Sequence, residues 1–225
     1  MKAVLFLLMA AAAAVLLAQP GDALATGTNV ITIVDQGVGS PSLQLDSLGR
    51  PVISYNTEAP SLDLRVLHCG NVNCTAGNSI ATVDTAGSIN QSALVLDASG
   101  NPVVAYHEFG SGDLKVLHCD DPNCVGGGES FTTPDTTGDV GDYLDLVLDA
   151  AGRPVISYHN ETTGDLKLLH CDDVNCAGTE VSRTLDSVGD VGEDTSVVMD
   201  GVNPVISYLD ASNVTMKVLH CADPG

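Results

Sequence analysis

The chain has 225 residues, of which 44% are hydrophobic, and carries 29 Asp and Glu against 8 Lys and Arg, a formal net charge of -21. Such a surface repels nucleic acid and anionic membrane and attracts metal ions and cationic partners. The apolar residues are too many and too regularly patterned for a disordered acidic tail, while Trp is absent and aromatics make up only 4% of the chain, a poor supply of the platforms that sugar-binding sites use.

Lys2 precedes an apolar run from Ala3 to Ala18, and Ala23-Leu24-Ala25 offers a small-residue cleavage site. This predicts a signal peptide over residues 1–25 and a secreted, extracellular or periplasmic mature chain over residues 26–225. The run is shorter than the roughly 20 residues a bilayer-spanning helix needs, and no later stretch is long enough either, so no membrane span is expected.

From there the chain repeats itself. Cys69, Cys119, Cys171 and Cys221 recur at intervals of about 50 residues, each preceded by a Pro-Val-[Ile/Val]-[Ser/Ala]-Tyr segment ending at Tyr55, Tyr106, Tyr158 or Tyr208. The units run over residues 42–84, 92–135, 144–186 and 196–225, the last incomplete. Each reads as four short strands, in the first unit Ser42–Asp46, Pro51–Tyr55, Leu64–Cys69 and Asn78–Asp84. Between strands one and two lie Asp46-Ser-Leu-Gly49, Asp97-Ala-Ser-Gly100, Asp149-Ala-Ala-Gly152 and Asp200-Gly-Val-Asn203. An Asp that bonds the backbone ahead of it, then a residue tolerant of positive φ, makes a tight hairpin, and Asn203 is expected to replace Gly in the left-handed position. No segment has sustained helical periodicity.

Four-stranded units of this length, apolar on both faces, predict an all-β propeller of four-stranded antiparallel blades. Residues 29–35 resemble a fourth strand that precedes the first unit, as a strand closing the ring on the last blade would. Cys221 has no partner, and the chain reaches Gly225 one residue short of where that partner would stand. This reads as a truncated larger ring; the alternative is a four-bladed ring with a free or intermolecular thiol.

The pairs Cys69–Cys74, Cys119–Cys124 and Cys171–Cys176 follow His68, His118 and His170, which invites a metal reading. Adjacent strand residues point to opposite faces and an exported protein oxidises its thiols, so disulfides are expected, with the histidines packing between blades. The basic column Arg65, Lys115, Lys167 and Lys217 is expected to pair with carboxylates of neighbouring blades.

Loops between strands two and three share one face with the inter-blade links. There the candidate metal or ligand residues are Asp135, Asp139, Asp142, Asp145, Asp186, Asp190, Glu193 and Asp194, with His107, His159 and Glu161. Glycine-rich loops with carboxylates a few residues apart suit calcium as a cofactor, although the spacing is not that of an EF-hand. No catalytic residue is assigned.

The unit L-D-x-x-G-x-P-V-I-S-Y followed by G-D-L-K-x-L-H-C resembles the blades of secreted bacterial β-propeller repeat proteins, distantly similar to sialidase-type propellers with Asp-box turns. That resemblance implies a fold. Sialidase chemistry resembles a different demand, three arginines on a substrate carboxylate, and Arg50, Arg65, Arg153 and Arg183 provide no such triad. The leading expectation is a secreted non-enzymatic binding scaffold for a protein, glycan or cationic ligand. The alternative is a glycoside hydrolase drawing two carboxylates from Asp142, Asp145, Glu161 and Asp194.

Overall fold

The strands form because apolar β-branched residues alternate between turns whose geometry is dictated by one Asp each. The structure, a computed structural model, describes residues 29–85 and 88–223; the expected signal peptide lies outside them. The first sheet holds β1 (Val38–Leu45), β2 (Pro51–Thr57), β3 (Leu64–His68) and β4 (Ser79–Asp84). The second holds β5 (Ile89–Leu96), β6 (Pro102–Glu108), β7 (Asp113–His118) and β8 (Ser130–Asp135). The third holds β9 (Val140–Leu148), β10 (Pro154–Asn160), β11 (Asp165–His170) and β12 (Ser182–Asp186). β13 (Val191–Asp200), β14 (Asn203–Asp210) and β15 (Thr215–His220) make a three-stranded fourth sheet. All neighbours are antiparallel and in chain order, so each sheet is one propeller blade.

In the first three blades the hairpin Asp takes the backbone N–H groups two and four residues on: Asp149 Oδ1 accepts from Ala151 at 2.8 Å and Arg153 at 2.9 Å. The glycine three residues on, Gly152, has φ 80°. The fourth blade departs from expectation. β13 runs to Asp200 and pairs it with Asn203, and Gly201, with φ 64°, takes the left-handed position. The turn is therefore a two-residue hairpin with glycine first, which suits the twist of antiparallel strands, and Asn203 is an ordinary strand residue.

Blades stack through three apolar layers. Val52, Leu64 and Val66 meet Leu94, Val104 and Tyr106; Val103, Leu114 and Val116 meet Leu146, Ile156 and Tyr158; Val155, Leu166 and Leu168 meet Val197, Ile206 and Tyr208. β6 and β10 are buried at every position, whereas β14 alternates. A central strand of an inner blade is covered on both faces; a blade at the end of the row is covered on one. β5 packs between β1 and β9, and β9 between β5 and β13, but no comparable packing joins β13 to β1 among the described residues. The row is an open arc. Its two ends expose Leu43 and Leu45 on β1, and Val198, Met216 and Val218 on β13 and β15.

Every joint repeats one polar device. The Tyr158 hydroxyl donates to Asp135 Oδ2 at 2.7 Å, and Lys167 Nζ, across its own strand pair from Tyr158, reaches the same oxygen. Tyr106 and Lys115 do this to Asp84, and Tyr208 and Lys217 to Asp186. In the first blade Tyr55 and Arg65 reach Asp35 at 2.8 and 2.9 Å. Thr32–Asp35 carries no ladder and is not a member of the three-stranded last sheet. It nonetheless meets the first blade as a fourth strand would: Thr32 Oγ1 donates to the Asn73 carbonyl as Thr132 Oγ1 does to that of Asn175.

The disulfides Cys69–Cys74, Cys119–Cys124 and Cys171–Cys176 are formed, with Cα separations of 4.8, 5.1 and 5.0 Å. Cys221 pairs with no cysteine among the described residues. The histidine column is structural: His68 Nε2 lies 3.0 Å from Asp46 in its own hairpin, and Nδ1 lies 3.1 Å from Asn123 in the next blade's disulfide loop. His118 bridges Asp97 and Asn175 in the same way.

Candidate acidic mouth on the loop face

Disulfide loops and the first hairpins occupy one face of the arc, the inter-blade links and the loops between strands two and three the other. On the second face the inner strands bulge. Register shifts fall at Gly39/Ser42, Ile89/Gln91 and between Val191 and Ser196, with Ser157/His159 on the strand facing β9. Bulges of this kind re-aim side chains, and here they give Ser40, Tyr143 and Asp194 positive φ of 44°, 49° and 47°. These residues, with Pro41, Gln91, Ser92, Leu144 and Thr195, line an open pocket of 270 Å³ to which all four blades contribute.

Two acidic links, Gly138–Tyr143 and Gly189–Asp194, are fastened on both sides. Val140 N donates to Gly112 O behind it, while the Thr162 hydroxyl ahead accepts from Asp139 N. The second link repeats this with Gly164 and Ser212. Gly192, at φ 101°, lies so close to the preceding blade that an added Cβ would stand 2.7 Å from Leu166 Cα.

Of the residues expected on this face, the structure brings together Asp142, Glu161, Glu193 and Asp194. Burial and then the fields of these four carboxylates push the Tyr143 phenol above its usual pKa. Its ring meets that of His159 edge-on at 6.1 Å, its N–H donates to Gln91 Oε1 at 2.7 Å, and its carbonyl accepts from Thr195. Asp139 and Asp190 face buried histidines, with Asp139 Oδ1 2.9 Å from His107 Nε2 and Asp190 Oδ1 3.6 Å from His159 Nε2.

Three expected ligands are placed elsewhere. Asp135 and Asp186 are the joint carboxylates held by Tyr158 with Lys167 and by Tyr208 with Lys217. For both, burial raises the pKa, but the lysine and tyrosine bonds outweigh it and hold the carboxyl below the ordinary range. Asp145 accepts from Val197 N at 2.8 Å and Ser196 Oγ at 3.1 Å, tying β9 to β13. A carboxylate so engaged has little left to offer a ligand. Two aromatics of the loop face are absent from the sequence-based set. Tyr143 occurs in one link only, and Phe109, exposed beside His107, follows a strand end; neither belongs to a repeated column.

Each described Lys and Arg is ion-paired within the chain: Arg50, Arg65, Lys115, Arg153, Lys167, Arg183 and Lys217. None is left for the mouth. On the opposite face Asp120, Asp121 and Glu129 approach within 4.8 Å of one another, but Asp121 is occupied by the N–H groups of Asn123 and Val125, which builds the disulfide loop.

No protein-family model matches the chain, and no curated protein matches it. Among solved structures it is similar to a protein of unknown function from Dyadobacter fermentans (TM-score 0.56, 15% identity, 81% of this chain and 50% of that one). It is also similar to a thermostable family-43 glycoside hydrolase (TM-score 0.50, 11% identity, 81% and 71%) and to a bifunctional GH43-CE protein from Bacteroides eggerthii (TM-score 0.50, 11% identity, 82% and 24%). The chain thus spans half the length of the first and about a quarter of the last. At these identities the likeness is one of fold, and the fold is the β-propeller.

Proposed function

We propose that the chain is an exported propeller module that binds a cationic ligand, calcium or a basic protein segment, at the acidic mouth. The carrying observation is electrostatic. The described cations are consumed in internal pairs, while Asp142, Glu161, Glu193 and Asp194 surround Tyr143 with no Lys or Arg among them. Carboxylates gathered in a concave mouth focus field and raise the local concentration of cations. The three disulfides fit an oxidising compartment. Titration with a fluorescent lysine-rich peptide and with Ca²⁺ tests the reading. Binding is expected to weaken with salt and to fall by about tenfold or more in Glu193→Gln/Asp194→Asn, which removes two of the four carboxylates. No binding at low salt, or unchanged affinity in the double variant, overturns it.

A second reading, glycoside hydrolysis, is favoured by Asp142 and Glu161 lining one open pocket with the exposed Phe109 ring. It requires turnover of chromogenic glycosides that is lost in Asp142→Asn and Glu161→Gln; absence of turnover across a broad substrate set removes it.

A further inference from the structure

His107 is an almost fully buried histidine with one nitrogen left over. Its side chain is 1% exposed, and Nε2 stands 2.9 Å from Asp139 Oδ1. Nδ1 is buried and has no hydrogen-bond partner among the described residues. It faces Asp142 Oδ1 at 3.9 Å, too far for a hydrogen bond. The ring lines an open pocket of 300 Å³ with Phe109, Asp139, Asp142, Glu161 and Thr162. The equivalent His159 differs at this atom, since its Nδ1 lies 3.0 Å from the Val191 carbonyl and donates to it. In the neutral ring a proton on Nε2 bonds the Asp139 carboxylate and leaves the Nδ1 lone pair facing a second carboxylate. Nδ1 and the Asp142 carboxylate are both satisfied by a positive charge between them, which a second ring proton or a bound metal ion would supply.

We propose that His107 Nδ1, Asp142 and Glu161 hold a divalent transition-metal ion of the zinc or manganese class in the joint between the second and third blades. Metal–nitrogen and metal–oxygen bonds of about 2.0–2.2 Å span the 3.9 Å between His107 Nδ1 and Asp142 Oδ1, and the exposed Glu161 side chain, which lines the same pocket, has to swing inward to complete the set. Asp139 is then the outer carboxylate that orients a metal-binding imidazole and raises its basicity. A nitrogen in the donor set selects against calcium, whose ligands are oxygens. The inference deepens the cationic-mouth reading by naming one occupant, and the two share only Asp142 and Glu161.

The test is calorimetric titration of the EDTA-stripped, disulfide-intact chain, with Cys221 alkylated, using Zn²⁺, Mn²⁺ and Ca²⁺ separately. One Zn²⁺ or Mn²⁺ per chain is expected, with Ca²⁺ at least tenfold weaker. Affinity is expected to drop tenfold or more in His107→Gln and in Asp142→Asn, and to be unmoved by Glu193→Gln/Asp194→Asn. Nitrogen-15 shifts of the His107 ring should place the ion on Nδ1. Because His107→Gln disturbs a buried site, Glu161→Gln, changed at an exposed residue, serves as the second variant and must also weaken binding. No heat at millimolar metal, or binding that survives Asp142→Asn and Glu161→Gln but is lost in Glu129→Gln, overturns the proposal. Loss of peptide binding with zinc binding intact sinks the mouth reading alone, and the converse sinks the ion site alone.

Discussion

Asp149 shows how much one side chain does in this fold. It takes two backbone N–H groups, the Arg153 guanidinium at 2.6 Å and His170 Nε2 at 3.0 Å. Burial pushes its carboxyl up, but the Arg153 backbone and side-chain bonds and His170 outweigh that and hold it well below the usual carboxylate range. Asp149→Asn keeps the turn's shape but loses the charge-assisted bonds, which are worth about 2 kcal/mol, so the melting temperature should fall by about 4–8 °C at neutral pH. A carboxyl depressed on folding adds stability above its unfolded pKa near 3.9 and loses it as pH drops through the folded value. The gap between wild type and Asp149→Asn should therefore narrow as a melting series is carried below about pH 4. The joint tyrosines act at the other extreme. Burial and the bond to Asp186 push Tyr208 up to about 12. A phenol raised on folding contributes fully below its unfolded pKa near 10 and loses that contribution as pH rises toward the folded value. Stability should decline between about pH 10 and 12, and Tyr208→Phe should flatten that decline; an unchanged alkaline slope would separate the joint from this effect.

At the scale of elements, the inter-blade links carry the tightest constraint. Gly192 adopts φ 101° against the backbone of β11, whereas Gly100 in a hairpin, at φ 85°, has nothing within 4 Å of an added Cβ. Both substitutions to Ala incur the left-handed penalty of about 1–2 kcal/mol. Only Gly192→Ala also forces two backbones apart, for a further 1–3 kcal/mol or so, and urea melts of the two variants should differ by that amount. The strands, the first three hairpins, the disulfides and the basic column were legible because each recurs from unit to unit at a fixed place. Asp135 and Asp186 end the outer strands β8 and β12 as Asp84 ends β4, a column that acidic composition near a loop masks. Asn203 was misread because the fourth hairpin is one residue shorter than the others, which moves the left-handed position to Gly201. The mouth was only half legible. Tyr143, Asp142 and Glu161 meet through bulges and a left-handed backbone, and such long-range convergence leaves no local pattern in the sequence.

For the molecule as a whole, charge is the governing quantity. A net charge of -21 on one chain repels itself, whereas the joint pairs are buried or half-buried and screened less than open surface. Raising sodium chloride from about 10 mM to about 0.5 M shortens the Debye length several-fold, so the melting temperature should rise by several degrees. A fall would mean that the ion pairs, rather than self-repulsion, dominate. The open arc adds a second property of the whole. Its last blade is covered on one face only and should exchange backbone amides sooner than the inner two, as the end unit of a stacked array does.

The joint device also has a direction in time. In each case the acceptor precedes its readers in the chain: Asp35 comes 20 residues before Tyr55, Asp84 and Asp186 each 22 before their tyrosines, and Asp135 23 before Tyr158. A ribosome or translocon delivers residues from the N-terminus onward. Each new blade therefore meets a carboxylate already in place at the edge of the blade before it, and no joint waits for a distant part of the chain. Contacts this local favour fast, stepwise growth over a search of the whole polypeptide. The same Asp that locks two finished blades together is, during synthesis, the mark against which the next one is set.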